Sequence, residues 1–147
     1  MNVSTRYTVA LHILILMATD KGTPMTSEFI AGSVNTNPVF IRRLLGRLKD
    51  HGFVESQSGA RGGWLLCKSP DAIRLSDVRL AMEEGSPFTM HTQQPNPACP
   101  VGRSIQGVLG NVFARAERAM YDDLAKSTVA DLLESVYKQN EARQNVF

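Results

Sequence analysis

Four cations fall within one eight-residue stretch: Arg42, Arg43, Arg47 and Lys49. At about 100° per residue, Arg42, Arg43 and Lys49 share an arc with Val39, Gly46 and Asp50, and Arg47 lies on its flank. The opposite arc holds Ile41, Leu44, Leu45 and Leu48. A guanidinium presents a planar fork of donors that matches the O6 and N7 acceptors of guanine, or two oxygens of a phosphate. The chemistry on offer is therefore recognition of a polyanion rather than the making or breaking of bonds. A further cation, Arg61, stands in Gly59-Ala60-Arg61-Gly62, where flanking glycines allow close backbone approach. Taken alone, outward arginines are usually a solvated face, so their meaning depends on the elements that carry them.

Those elements can be read from capping and periodicity. Residues 4–19 form an apolar helix with Ser4 as its cap, followed by a turn at 20–24. Thr26 caps a short helix over 27–34 whose apolar face is Phe29, Ile30 and Val34. Asn35-Thr36-Asn37 makes a tight turn. Asn37 as N-cap and Pro38 at the first helical position then start a third helix, which runs to His51 and stops at Gly52. A short helix, a tight turn and a helix with a basic outer face make a helix-turn-helix, whose second helix enters the major groove of DNA. The N-terminal residues of the two helices, Thr26, Ser27, Thr36, Asn37 and Pro38, stand where backbone N–H groups favour phosphate. Val39 on the outer face suits a thymine methyl. Two β segments, 53–56 and 63–66, joined by the loop bearing Arg61 and Gly62, form a hairpin wing aimed at the DNA backbone or minor groove. Trp64 is read as a residue that packs the hairpin.

Beyond the wing, 68–75 is a connection, and Ser76-Asp77 caps a fourth helix over 78–84 that ends at Gly85. Residues 86–100 contain Pro87, Pro95, Pro97 and Pro100 and read as a loop. A long helix over 101–126 follows, and Thr128 with Asp131 caps a last helix carrying Val129, Leu132, Leu133, Val136 and Tyr137. Residues 141–147 read as a frayed end. The fold class is thus mainly α with a small β-hairpin. It divides into a winged helix-turn-helix domain (1–85), a Pro-rich loop (86–100) and a C-terminal helical dimerisation arm (101–140).

Composition agrees. With 147 residues and 43% hydrophobic content the chain can bury a core. Residues 1–74 hold nine Lys/Arg against five Asp/Glu, a net of +4, and residues 75–147 hold seven against nine, a net of −2. A basic first half suits a polyanion. The apolar stretch 9–18 is broken by His12 and is shorter than the roughly 20 residues a bilayer span needs, so no membrane contact and a cytoplasmic location are expected. Two cysteines, Cys67 and Cys99, do not make a disulfide framework. Cys67 is read as a core residue. Cys99 is a candidate sensor, because it precedes a helix N-terminus that favours a thiolate, or else a small apolar residue packed under the loop. His12 reads as a satisfied helix histidine and His51 as a residue favoured by the helix C-terminus. There is no Gly-rich phosphate loop, no zinc HExxH pattern and no nucleophile elbow, and Asp122-Asp123 and Glu83-Glu84 read as solvated carboxylates. No enzyme activity, catalytic residue, metal or cofactor is expected.

The run NPVFIRRLLGRLKDHGFVES, then GARGGWLLCKSP and IRLSDVRLAMEEG, resembles the Rrf-type winged-helix transcriptional regulators of bacteria, which include repressors of iron–sulfur cluster assembly, nitric oxide response and cysteine metabolism. STRYTVALHILILMA, CPVG and STVADLL also match, so the likeness extends from about residue 4 to residue 137. The resemblance implies a homodimer in which each long C-terminal helix packs on its partner. Cluster-binding members carry three cysteines in the loop before that helix. Here the loop has Cys99 alone, with His91 the nearest further ligand type, so no iron–sulfur cluster is expected. The expected function is a sequence-specific DNA-binding regulator, a repressor on a palindromic operator, responding to a redox or small-molecule effector. The competing expectation is a winged-helix module that binds protein instead of DNA.

Overall fold

The structure is a computed structural model describing residues 5–82 and 85–145. The cap expected at Ser4, the helix end expected at Glu84 and the Glu83-Glu84 pair lie outside these residues. Helix α1 (Arg6–Ala18) is apolar around most of its circumference, and Ala10, Ile13, Leu14 and Met17 are at most 2% exposed. A helix of that kind must be surrounded, and α1 is contacted by the next three helices and by the last one. Helix α2 (Ser27–Val34) starts where the Thr26 hydroxyl accepts the Phe29 N–H at 3.1 Å. It closes at Asn35, whose left-handed φ of 60° turns the chain. Helix α3 (Pro38–Asp50) begins at Asn37, whose Oδ1 accepts the Val39 N–H at 2.7 Å.

Strands β1 (Val54–Gln57) and β2 (Gly63–Leu66) pair antiparallel, with Val54 opposite Leu66 and Gln57 opposite Gly63. The first strand begins one residue later than expected, because Phe53 is drawn into the core at 3% exposure and its N–H bonds the Leu48 carbonyl. Trp64 secures the hairpin to the head by exchanging both backbone hydrogen bonds with Met25, at 2.8 and 3.0 Å. After a 3-10 turn (Pro70–Ala72), helix α4 (Leu75–Met82) begins three residues earlier than the sequence suggested. Ser76 and Asp77 lie inside it, since Leu75 and Ser76 are buried and the Leu75 N–H is taken by the Ser127 carbonyl at 3.0 Å.

The Pro-rich loop is anchored rather than loose. Phe88 stacks on Phe113 with centroids 4.6 Å apart. At Gly102 a side chain would meet the Asn96 carbonyl at 2.4 Å, so the loop lies directly on the start of helix α5 (Pro100–Leu124). That helix is 25 residues long and buries none of them. Helix α6 (Val129–Gln144) is set by a reciprocal capping box between Thr128 and Asp131 and turns back onto α1. Val129 is fully buried and its N–H bonds the Ile73 carbonyl at 2.9 Å. Within 101–140, α6 packs on α1 and the 3-10 turn, whereas α5 meets α4. The expected fraying from residue 141 is also corrected. The helix continues to Gln144, where the Asn145 N–H bonds the Glu141 carbonyl at 3.2 Å. Among the described residues no helix is long and apolar enough to cross a membrane.

Candidate nucleic-acid interface

What rotates α3 is its apolar stripe. Ile41, Leu44, Leu45 and Leu48 are at most 1% exposed, so the arc on the other side must face outward. Val39 is 52% exposed, Arg42, Arg43 and Lys49 are exposed, and Arg47 is half-buried on the flank. The two ends of this face are tied down. Near the N-terminus, the Arg42 guanidinium forms an ion pair with Glu28 in the first turn of α2. Near the C-terminus, Lys49 Nζ donates to Ser56 Oγ at 3.1 Å, linking the helix to the wing, and His51 Nδ1 lies 2.8 Å from the Arg47 carbonyl oxygen.

Arg61 is exposed on the loop between β1 and β2. Its neighbour Gly62 serves the turn itself. Its N–H bonds the Gly59 carbonyl at 3.0 Å, and a Cβ there would sit 2.2 Å from the Gln57 carbonyl oxygen. The close approach that the glycine permits is therefore to the hairpin's own backbone. Thr26 and Asn37 are exposed but spend their side-chain oxygens on capping. Thr36 and Pro38 are half-buried.

Two sequence expectations need correcting here. Ser27 is only 5% exposed, because the first turn of α2 directs it inward, so its hydroxyl is not on the outer surface. Phe29, expected on the buried face of α2, is 58% exposed; Ile30 and Ala31 fill the core in its place. One residue of the face went unnoticed in the sequence. Glu28 gave no signal, because its partner Arg42 is on another helix and no local spacing relates them.

The two thiols also differ from expectation. Cys67 is exposed, not core: it directly follows the last strand residue, and its thiol lies beside the Glu55 carboxylate of β1. Partial burial, with help from the Glu55 carboxylate, pushes its pKa up. Cys99 is exposed at the N-cap of α5, which removes the packed reading. The nearby backbone N–H groups of Gly102 and then Val101 hold the thiol below its ordinary range. His12, as anticipated, has a partner: its Nε2 lies 3.0 Å from Ser33 Oγ.

The model of the Rrf2 family, described as an iron-dependent transcriptional regulator, matches residues 3–135. The chain supplies only two cysteines, and among the described residues no three His, Cys, Asp or Glu side chains gather where they could hold a metal. Its own donor set does not fit an iron–sulfur cluster, which takes about four protein ligands. YwnA of Bacillus subtilis, described as an HTH-type transcriptional regulator, is 39% identical over 136 residues, covering 92% of this chain and 99% of that one. The structure of CymR, the global cysteine regulator of B. subtilis, superposes with a TM-score of 0.69 at 26% identity over 92% of this chain and 98% of that one. IscR of T. potens shares the fold, with a TM-score of 0.70 at 22% identity over 92% of this chain and 88% of that one. YwnA and CymR are both named as regulators. The outward basic face of α3, the wing beside it and the match along almost the whole chain have one reading: this protein belongs to the Rrf2 family of winged-helix DNA-binding transcriptional regulators.

Proposed function

We propose that this regulator acts as a homodimeric repressor on a palindromic operator. The observation that carries the reading is the outward basic face of α3, held between the Glu28 pair and the Lys49–Ser56 bond. In this reading the dimer presents two α3 helices to successive major grooves, about 34–36 Å apart on one side of the duplex. Arg42 and Arg43 meet base edges, Val39 a thymine methyl, and Arg47 the adjoining backbone. The helix starts at Thr26, at the backbone of Ser27, and at Thr36, Asn37 and Pro38 accept phosphates. Arg61 and the backbone at Gly62 follow the flanking strand, and occupation of the promoter excludes polymerase. The exposed Val101, Val108 and Val112 along α5 support the dimer, because an apolar row left open on a helix that fully buries none of its residues favours a partner.

For the effector, we infer a redox signal at Cys99. The sulfur is accessible, its ionised form is favoured by the α5 N-terminus, and it is sited where the loop meets α5. Its oxidation would alter the seating of α5 and thereby the spacing of the two α3 helices. A small-molecule effector has a different candidate place, the cavity of about 670 Å³ between α1 and α6, lined by Tyr7, Leu11, Ile15, Leu133 and Tyr137.

Selection of genomic fragments by the reduced protein at near-physiological salt tests the proposal. A small set of two-fold-symmetric sites is expected, with weaker binding after oxidation that is absent in Cys99→Ser. Recovery of only salt-sensitive background would reject sequence-specific repression.

A further inference from the structure

We propose that Glu28 is a specificity-determining residue, forming with Arg42 a paired acid–base reader of one G·C base pair in each half-site. The inference rests on the reading of α3 as the recognition helix. The pair joins residues 14 apart in sequence and bridges α2 to α3. Its side chains remain 51% and 63% exposed, so it adds little to the stability of the fold. Its consequence is for direction. An arginine on its own is a long flexible side chain that can settle on any nearby phosphate. This one is held at Nη2 by a carboxylate whose own helix is fixed by the Thr26 cap.

Charge decides where such a pair belongs. The pair is neutral as a unit, so it gains little from the phosphates, and its carboxylate is repelled by them. On the floor of the major groove the situation is reversed. Guanine presents two acceptors and cytosine an amino donor, so a G·C pair offers partners to both members. A guanidinium has five N–H donors, and holding Glu28 through one nitrogen leaves enough to fork onto guanine O6 and N7. The second carboxylate oxygen accepts from the cytosine amino group of that pair or its neighbour. The exposed Val39, on the turn that begins α3, provides an apolar contact on the same face.

The test uses the full-length protein, an operator recovered by selection and every single-base variant of one half-site. Affinities are measured at several salt concentrations for the parent, E28Q, E28A, R42A, R43A and E28A/R42A. Both residues are exposed, so the variants should fold, and circular dichroism checks this. E28Q should lower discrimination at one G·C position by roughly tenfold. It should at the same time bind unrelated DNA more tightly, with a steeper salt dependence, because Arg42 becomes available to phosphates. The double variant should lose no more discrimination than R42A alone. If R42A abolishes a base preference while E28Q and E28A keep it within twofold at every position, Glu28 is a bystander and the proposal fails with the α3 assignment intact. If R42A and R43A both leave operator binding unchanged, the recognition-helix reading fails, and this inference with it.

Discussion

Arg42 and Arg43 are adjacent in sequence yet differently placed. Arg42 is committed to Glu28, whereas Arg43 stands about 100° further round the helix on the exposed face. If Arg43 reads a base, Arg43→Ala should weaken operator binding by about 1–3 kcal/mol and relax preference at a single position. Arg61→Ala should act otherwise, lowering affinity about equally on all sequences and reducing the salt slope by about one, as the loss of a phosphate contact does. Competition titrations on the operator and on scrambled DNA separate the two outcomes. The cysteines make a second contrasting pair. Backbone N–H groups lower the Cys99 pKa, while burial and Glu55 raise that of Cys67. Alkylation of Cys99 in a Cys67→Ser protein should therefore set in at lower pH than alkylation of Cys67 in Cys99→Ser. In urea both should return to the ordinary thiol range near 8.5. The sign for stability follows. The depressed Cys99 favours the folded state above its unfolded pKa and loses that contribution as pH falls through its folded value. The raised Cys67 favours folding below its unfolded pKa and loses it as pH rises. Coincident alkylation profiles in the folded protein would remove the Cys99 argument.

Helices with strong local signals were legible, and those defined by distant partners were not. The Asn37-Pro38 start and the stripe Ile41, Leu44, Leu45 and Leu48 specify α3 and its rotation without reference to the rest of the chain. The Thr128–Asp131 capping box is equally local. By contrast, α4 begins at Leu75 because the Ser127 carbonyl, far along the chain, takes its N–H. Ser27 and Phe29 exchange their expected exposures because α2 is amphipathic over too few turns for periodicity to set its rotation. Local specification makes local predictions. Leu45→Ala should cost about 2–5 kcal/mol in urea unfolding, since it empties a fully buried site between α3 and the rest of the head. Gly62→Ala should act on the wing. With a Cβ 2.2 Å from the Gln57 carbonyl the turn must open, displacing Arg61, so DNA affinity should fall as it does for Arg61→Ala while the helical content measured by circular dichroism persists. Retention of full affinity by Gly62→Ala would show that the position of the wing tip is unimportant.

The chain as a whole consists of a buried core and one helix that adds no fully buried residue to it. α1 through α4, the hairpin and α6 share a single core, whereas α5 contributes no buried residue. Val101, Val108 and Val112 on α5 are 66%, 57% and 43% exposed, and with Ile105 they recur at the four- and three-residue intervals of a helix seam. A seam of that kind in water favours association. If α5 is the dimer arm, Val108→Asp with Val112→Asp should leave the head folded, because neither side chain belongs to the core, and should yield a monomer by sedimentation equilibrium. The consequence for DNA then follows from linkage of the two heads. A dimer binding two half-sites gains over a single head by an effective-concentration factor of about 10²–10⁴, so the monomeric variant should lose about that much on the operator and bind an isolated half-site as the parent's single head would. Its salt dependence on the operator should fall to about half, because half of the phosphate contacts are gone. A variant that still sediments as a dimer and binds the operator normally would place the subunit contact on another surface.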